Sequence, residues 1–167
     1  MHINWSEDIE EGVPSETDLT DKWLYQLACI FFGSEGFGQY SSKFDCFPNL
    51  RKRFQESESN ILLVSLAATM RRRHESATER QKIEVSQIAP VSVGKYHRDL
   101  GNSASLGELS FREACNKIIH ANKIEFVYEQ GGGILQPTVN LYGAFRDKNW
   151  KAELDIVLFI QSGWDHG

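Results

Sequence analysis

The sequence predicts a mainly α domain of the α+β class, an up-down bundle of about four helices with a C-terminal β-hairpin. Long segments with apolar residues at helical spacing predict the helices, and two strand-like runs around a glycine-rich turn predict the hairpin. A length of 167 residues with 41% hydrophobic residues suits one domain with its own core. We expect residues 1–15 to form an acidic flexible tail and residues 16–167 to form a single helical domain.

The first helix is predicted in "DLTDKWLYQLACIFFG", with Asp18 as N-cap and Gly33 as the stop. Residues 33–48 are rich in Gly, Ser and aromatic residues without a clear period, which predicts a long loop. The second helix is predicted at about 49–76, where "NILLVSLAATMRRRHE" is apolar on nearly all sides and indicates a buried, central helix.

The second half of the chain begins with a polar stretch, residues 76–107, which predicts a loop with one short element at about 83–88. The third helix is predicted in "LGELSFREACNKIIHA", where Ser110 and Glu113 form a capping-box pattern. Residues 124–145 read as a β-hairpin. The segment "WKAELDIVLFIQ" predicts a last helix that closes the domain.

Charge is unevenly distributed along the chain. Residues 1–21 contain seven acidic residues and no Lys or Arg. We expect residues 1 to about 14 to be mobile or to dock on a basic surface such as residues 51–53, and the acidic tail could also bind a basic protein partner. The triplet "RRR" at Arg71, Arg72 and Arg73 makes a second basic cluster that can bind phosphate even on an acidic protein. The alternative is that both triplets are solvated helix ends.

Several function classes are disfavoured. No run approaches the ~20 apolar residues of a membrane span, and the acidic N-terminus is unlike a signal peptide, so the sequence predicts a cytoplasmic protein without membrane contact. Three cysteines without CxxC spacing indicate reduced thiols and no metal site. The "GGG" at 131–133 lacks the "GK[ST]" of a phosphate loop, and we predict no cofactor.

The segment "REACNKIIH" at 112–120 carries the candidate site. At 100° per residue one face of this helix is apolar, while Arg112, Asn116 and His120 share the opposite stripe at i, i+4 and i+8. The alternative is an ordinary exposed face whose terminal histidine is favoured by the helix dipole.

The run "CNKIIHA", after "LSFREA" on a late helix, resembles the HEPN superfamily, whose motif is an arginine, a polar residue that is often Asn, three further residues and a histidine. Asn116 and His120 match the motif, whereas Cys115 stands at the position of its arginine. The resemblance implies a helical bundle and a homodimer that brings two copies of the motif together. It also implies metal-independent RNA cleavage in toxin-antitoxin or antiphage systems, although other members only bind partners.

Metal-free RNA cleavage requires an acid or base and a fixed cation. A histidine has a suitable unperturbed pKa of about 6.5, which makes His120 the candidate for proton transfer. An arginine suits the developing phosphorane charge, and Arg112 or Arg72 could replace the arginine that Cys115 lacks. Asn116 would orient the histidine or the phosphate.

Three hypotheses follow from the sequence. The first is a HEPN-like, RNA-acting protein, a metal-independent ribonuclease or toxin-like effector. The second is a catalytically inactive HEPN-like interaction module, an antitoxin-like or regulatory subunit, because loss of catalysis would remove the motif's arginine. The third is an unrelated helical domain.

Overall fold

The computed structural model describes residues 15–41, 43–80, 91–130 and 133–165. The chain forms, in order, α1 (Glu16–Ser41), α2 (Cys46–Arg80), β1 (Ser92–His97), a 3-10 turn (Ser103–Ser105), β2 (Leu106–Ser110), α3 (Phe111–Ile119), β3 (Lys123–Tyr128), β4 (Leu135–Phe145), β5 (Lys148–Asp155) and α4 (Ile156–Asp165). The prediction of a helical bundle with a C-terminal hairpin is wrong. Two long N-terminal helices precede a five-stranded antiparallel sheet, and the two short helices are interleaved with or follow its strands.

The sheet has the strand order β2-β1-β5-β4-β3. Its buried face carries Val93, Leu109, Phe126, Val139, Leu141, Trp150, Ala152 and Leu154. The predicted hairpin is present, because β3 pairs with β4 with Ile124 opposite Leu141, but it is one edge of this larger sheet.

The last helix begins later in the chain than predicted. Residues 150, 152 and 154 are buried and alternate with more exposed residues, which is the period of a strand with one face on the core. Helix α4 begins only at Ile156, and the carboxylate of Asp155 accepts a hydrogen bond from the backbone N–H of Leu158 at 3.0 Å. That contact is an N-cap, so Asp155 marks the change from strand to helix.

The loop predicted for residues 76–107 is also wrong where the structure describes it. Strand β1 lies between β2 and β5, and Gly94 has φ +151° at an irregularity in its pairing with β2. A Cβ at position 94 would come within 2.0 Å of the backbone oxygen of Glu153, so only glycine fits. The element predicted at 83–88 lies outside the described residues.

Helices α1 and α2 form an antiparallel hairpin with a shorter connection than predicted. Ser15, rather than Asp18, is the N-cap of α1, since its hydroxyl accepts from the backbone N–H of Asp18 at 3.1 Å. The helix does not end at Gly33 but continues to Ser41. Aromatic rings pack around the turn, with the Phe47 ring within 5.6 to 6.0 Å of three others: Phe37, Tyr40 and Phe44. These contacts stabilise helix where local composition favours a loop.

Helix α2 packs on the core with one face only. Leu63, Leu66, Ala67 and Met70 are fully or almost fully buried, but Ile61 and Val64 on the outer side are exposed. The expectation of a buried, central helix is therefore wrong for its outer side.

Within the described part of the chain no helix is long and apolar enough to cross a membrane. The predicted acidic tail, apart from Ser15, lies outside the described residues.

Candidate phosphate-binding site

The apolar face of α3 fixes the position of the candidate site. Ser110 caps this helix by accepting from the N–H of Glu113 at 3.3 Å, as predicted, and Phe111, Ala114, Cys115 and Ile118 are buried. The Phe111 ring lies 5.2 Å from that of Phe159 in α4 and 6.1 Å from that of His74 in α2. This packing sets the end of α3 beside the C-terminal third of α2.

The two helices bring together Arg71 and His120, which are 49 positions apart in the sequence. Nη1 of Arg71 lies 3.5 Å from Nε2 of His120, a long contact at the limit of hydrogen bonding. Arginine only donates, so a hydrogen bond at this contact requires Nε2 as the acceptor. On its other side, Arg71 donates Nε to Glu75 at 2.9 Å. Glu75, Arg71 and His120 therefore form a row of contacts from the surface of α2 to the end of α3.

The other two arginines of the triplet are already paired. Arg72 donates a hydrogen bond to the carboxylate of Glu16, and Nε of Arg73 lies 3.8 Å from the same carboxylate. The hydrogen bond from Arg72 lowers the pKa of Glu16 below its usual value, and the charges of both arginines act in the same direction. Arg73 also reaches the hydroxyl of Thr17 at 3.5 Å. The start of α1 thus neutralises part of the cluster that the sequence predicted to bind phosphate.

The rest of the predicted polar stripe contributes unequally. Asn116 is half-buried, and its backbone oxygen accepts from the N–H of His120 at 3.1 Å, which is the last main-chain bond of the helix and does not depend on the asparagine side chain. Arg112 is exposed and lies eight residues from His120, about 12 Å along a helix axis. That separation is too large for both side chains to bind one phosphate readily. Among the predicted cations, Arg71 is the one placed beside His120.

Cys115, at the position of the HEPN motif's arginine, points into the core. It is 1% exposed, and burial raises the pKa of its thiol to about 12, which makes it an inert core thiol. The helical bundle that the resemblance implies is replaced by a sheet-containing fold. The motif match therefore rests on Asn116 and His120 alone.

Sequence reasoning missed the role of Glu75 and did not single out Arg71 within its triplet. A signal was present, because an Arg and a Glu four residues apart on a helix face each other.

Where the structure describes side chains, no group of three or more His, Cys, Asp or Glu is arranged to hold a metal ion. Comparison of the chain with protein-family models, with curated proteins and with solved structures found no match.

Proposed function

We propose that this protein acts on RNA, binding a backbone phosphate at Arg71 and cleaving the chain without a metal ion. The observation that carries the proposal is the 3.5 Å approach of Arg71 to His120. It supplies the two groups that such cleavage needs, a guanidinium for the phosphorane charge and an imidazole for proton transfer. Arg71 replaces Arg72 and Arg112 as the preferred clamp, because Arg72 is held by Glu16 and Arg112 is two turns away.

In the proposed reaction, neutral His120 takes the proton of the 2'-hydroxyl as that oxygen attacks the phosphorus. Arg71 releases its weak contact with the imidazole and donates to the phosphate oxygens, while Glu75 holds the guanidinium through Nε. The 5'-oxygen leaves with a proton from solvent or from a second copy of His120 across a homodimer. Such a dimer, as proposed, would add a second Arg71 to the same phosphate surface.

The test is RNA cleavage in the presence of a chelator. His120→Ala should abolish cleavage, and Arg71→Ala should lower the rate by about 10² to 10³, as expected when one charge-stabilising donor is lost. Arg112→Ala is the matched control and should leave the rate within a few-fold of wild type. Cleavage that survives His120→Ala with the fold intact would exclude the proposed role of the histidine.

Cys115→Ala separates the site from the core of the same helix. It should cost about 1 kcal/mol or more of unfolding free energy through the cavity it creates, yet retain cleavage wherever the fold survives. His120 is exposed, so His120→Ala should change stability much less. If His120→Ala instead unfolds the protein, the histidine is a structural residue.

The second candidate function is an inactive interaction subunit. Its specific support is that the motif's arginine position holds a buried cysteine and that Glu16 already engages Arg72 and Arg73. This function predicts a folded protein that cleaves no RNA in a panel of single- and double-stranded substrates. It further predicts that expression of the chain does not arrest growth and that Arg71→Ala weakens co-purification of a protein partner relative to wild type.

A further inference from the structure

Helix α2 carries a second apolar face, which is directed away from the core. Six residues at alternating spacings of four and three lie on it: Leu50, Phe54, Ser57, Ile61, Val64 and Ala68. All six are exposed, and all but the serine are apolar. This spacing is that of a coiled-coil seam, in which each side chain packs against a second helix lying alongside. We call these six residues the α2 seam.

Helix α1 also exposes large apolar side chains on its side away from the core. Tyr25 is 70% exposed and Phe32 58%, and Phe54 of the α2 seam is 42% exposed. At ~150 to 250 Å² for each aromatic side chain, these three rings alone expose on the order of 350 Å². That is already the size of the largest apolar patch on a typical monomer, and the aliphatic residues of the seam add to it. The outer face of the α1–α2 hairpin is therefore an interaction surface.

We propose that the α2 seam packs antiparallel on the α2 seam of a second copy of the chain, in a two-fold symmetric dimer. An axis midway along the seam sets each residue opposite a defined residue of the second copy, in three layers: Leu50 with Ala68, Phe54 with Val64, and Ser57 with Ile61. Every layer joins a larger side chain to a smaller one, which lets the helices interlock without a void. Because the seam complements itself in all three layers, it fits a second copy better than an unrelated helix.

The area of this face sets the strength of the dimer. A standard interface buries about 800 Å² on each partner, and the three rings supply roughly half of that area. A cavity of about 290 Å³ between α1 and α2, lined by Ile30, Phe37, Leu50 and Phe54, adjoins one end of the seam. The second copy would cover this apolar lining and remove it from water. We expect a reversible dimer with a dissociation constant of about 10 to 100 µM.

The dimer is independent of the proposed RNA cleavage. Arg71 lies 12 residues from position 59, the middle of the seam, so the two copies of Arg71 would be about 36 Å apart along α2. This arrangement differs from a dimer that joins two His120 side chains. Each Arg71–His120 site would act alone, with solvent as the source of the leaving group's proton.

Sedimentation equilibrium of the full chain tests the proposal, under reducing conditions because Cys29 and Cys46 are exposed and could form a disulfide between copies. Between about 1 and 300 µM the average mass should rise from the chain's 19.1 kDa toward twice that value. Val64→Glu places a charge in the seam and should weaken association at least about tenfold. Val157→Glu on α4 is the matched control, since both valines are 44% exposed, and it should associate like wild type.

An exchange of side-chain sizes tests the antiparallel pairing itself. Leu50→Ala leaves a gap in its layer and Ala68→Leu overfills the same layer, so each should weaken association about threefold or more. The double variant exchanges the two residues and should associate more tightly than either single variant. Circular dichroism and urea denaturation at about 1 µM, where the monomer predominates, check that each variant keeps the wild-type fold.

Three results would overturn the proposal: a wild-type chain that stays monomeric at about 300 µM, Val64→Glu that associates like wild type, or a double variant no tighter than the single ones. A chain without residues 1–14 that dimerises where the full chain does not would also overturn it, because it would identify that segment as the occupant of the face.

Discussion

The two ends of α2 carry similar basic triplets in opposite surroundings. At the C-terminal end, residues 71–73 lie near the surface and meet acidic or imidazole partners on α1, α2 and α3. At the N-terminal end, Arg51 lines a cavity with an unpartnered buried nitrogen, beside an unpartnered oxygen of Gln55. The two triplets lie about 30 Å apart on one helix and differ in their partners. The C-terminal arginines contact Glu16, Glu75 and His120, and Nη1 of Arg73 is buried without a partner among the described residues. At the N-terminal end Lys52 and Arg53 are exposed, and Arg51 is partly buried.

The composition of a basic triplet therefore does not determine its role. Exposed ion pairs are screened by water and exchange partners at little cost, so the C-terminal cluster can release Glu16 or His120 to meet a phosphate. A buried polar atom without a partner is destabilising, so Oε1 of Gln55 and Nη1 of Arg51 lower the stability of the N-terminal end. Mutations at the C-terminal triplet should consequently change phosphate binding with little effect on stability, whereas stability should depend mainly on the core between the two ends.

The largest effect on stability is expected in the core between the two ends of α2. Leu66 is fully buried midway along α2, and Leu66→Ala should lower the free energy of unfolding by about 2 to 5 kcal/mol, measured by urea denaturation. Ile61→Ala, on the exposed side of the same helix, is the control and should change it by less than about 0.5 kcal/mol. Equal losses in the two variants would show that α2 does not rest on the core with this face.

A smaller effect on stability, of opposite sign, is expected at Gln55. Gln55→Leu removes a buried, unpaired acceptor at the loss of one long hydrogen bond, so stability should stay unchanged or rise by up to about 1 kcal/mol. Gln55→Ala removes the same acceptor but enlarges the cavity, and it should be less stable than Gln55→Leu. A loss of more than about 1 kcal/mol in Gln55→Leu would show that the glutamine is satisfied in the folded protein.

The helices and the hairpin were predictable where one period dominates. In α3 the apolar spacing and the Ser110 cap are enough to identify the buried face, because apolar residues recur at helical spacing along the whole helix. The β3–β4 hairpin was recognisable from two apolar runs around glycines. In β5 the alternating pattern lasts only from Trp150 to Leu154 and continues directly into the apolar α4, so the two periods merge into one helix-like run.

The remaining errors come from tertiary contacts. Strand β1 lacks a clean alternation because Gly94 sits at an irregularity, and residues 33–48 are held mostly in helix by rings such as Phe37 and Phe47 that pack around the turn. The candidate site also depends on tertiary contacts. Helical spacing grouped Asn116 with His120, but the meeting of His120 with Arg71 depends on how α3 packs on α2, which no local pattern encodes.

A still smaller effect on stability is expected at the C-terminal cluster. Arg71→Leu removes a partly exposed ion pair with Glu75 and a long contact with His120, so the unfolding free energy should change by less than about 0.5 kcal/mol. RNA binding measured by filter retention should weaken clearly in the same variant, more steeply at low salt. A stability loss comparable to that of Leu66→Ala would indicate that Arg71 is part of the fold.

The smallest effect on stability is expected for the ion pair between Glu16 and Arg72 in the same cluster. The hydrogen bond from Arg72 lowers the pKa of Glu16 in the folded chain, so the unfolded state binds the proton more readily. The pair therefore stabilises the protein fully above the ordinary carboxyl pKa, and this contribution disappears as pH falls through the lowered value. The difference in melting temperature between wild type and Glu16→Gln should be greatest above about pH 5 and shrink toward about pH 3.

Salt and a second carboxylate provide the controls for that pH dependence. Because the pair is exposed, about 0.5 M salt should reduce the difference at neutral pH. Glu35→Gln, on the same helix and without an ion pair among the described side chains, should show little pH-dependent difference. A Glu16→Gln difference that grows on acidification would reverse the assignment, because it would mean that protonated Glu16 is the stabilising form and that Arg72 and Arg73 are available to phosphate at neutral pH.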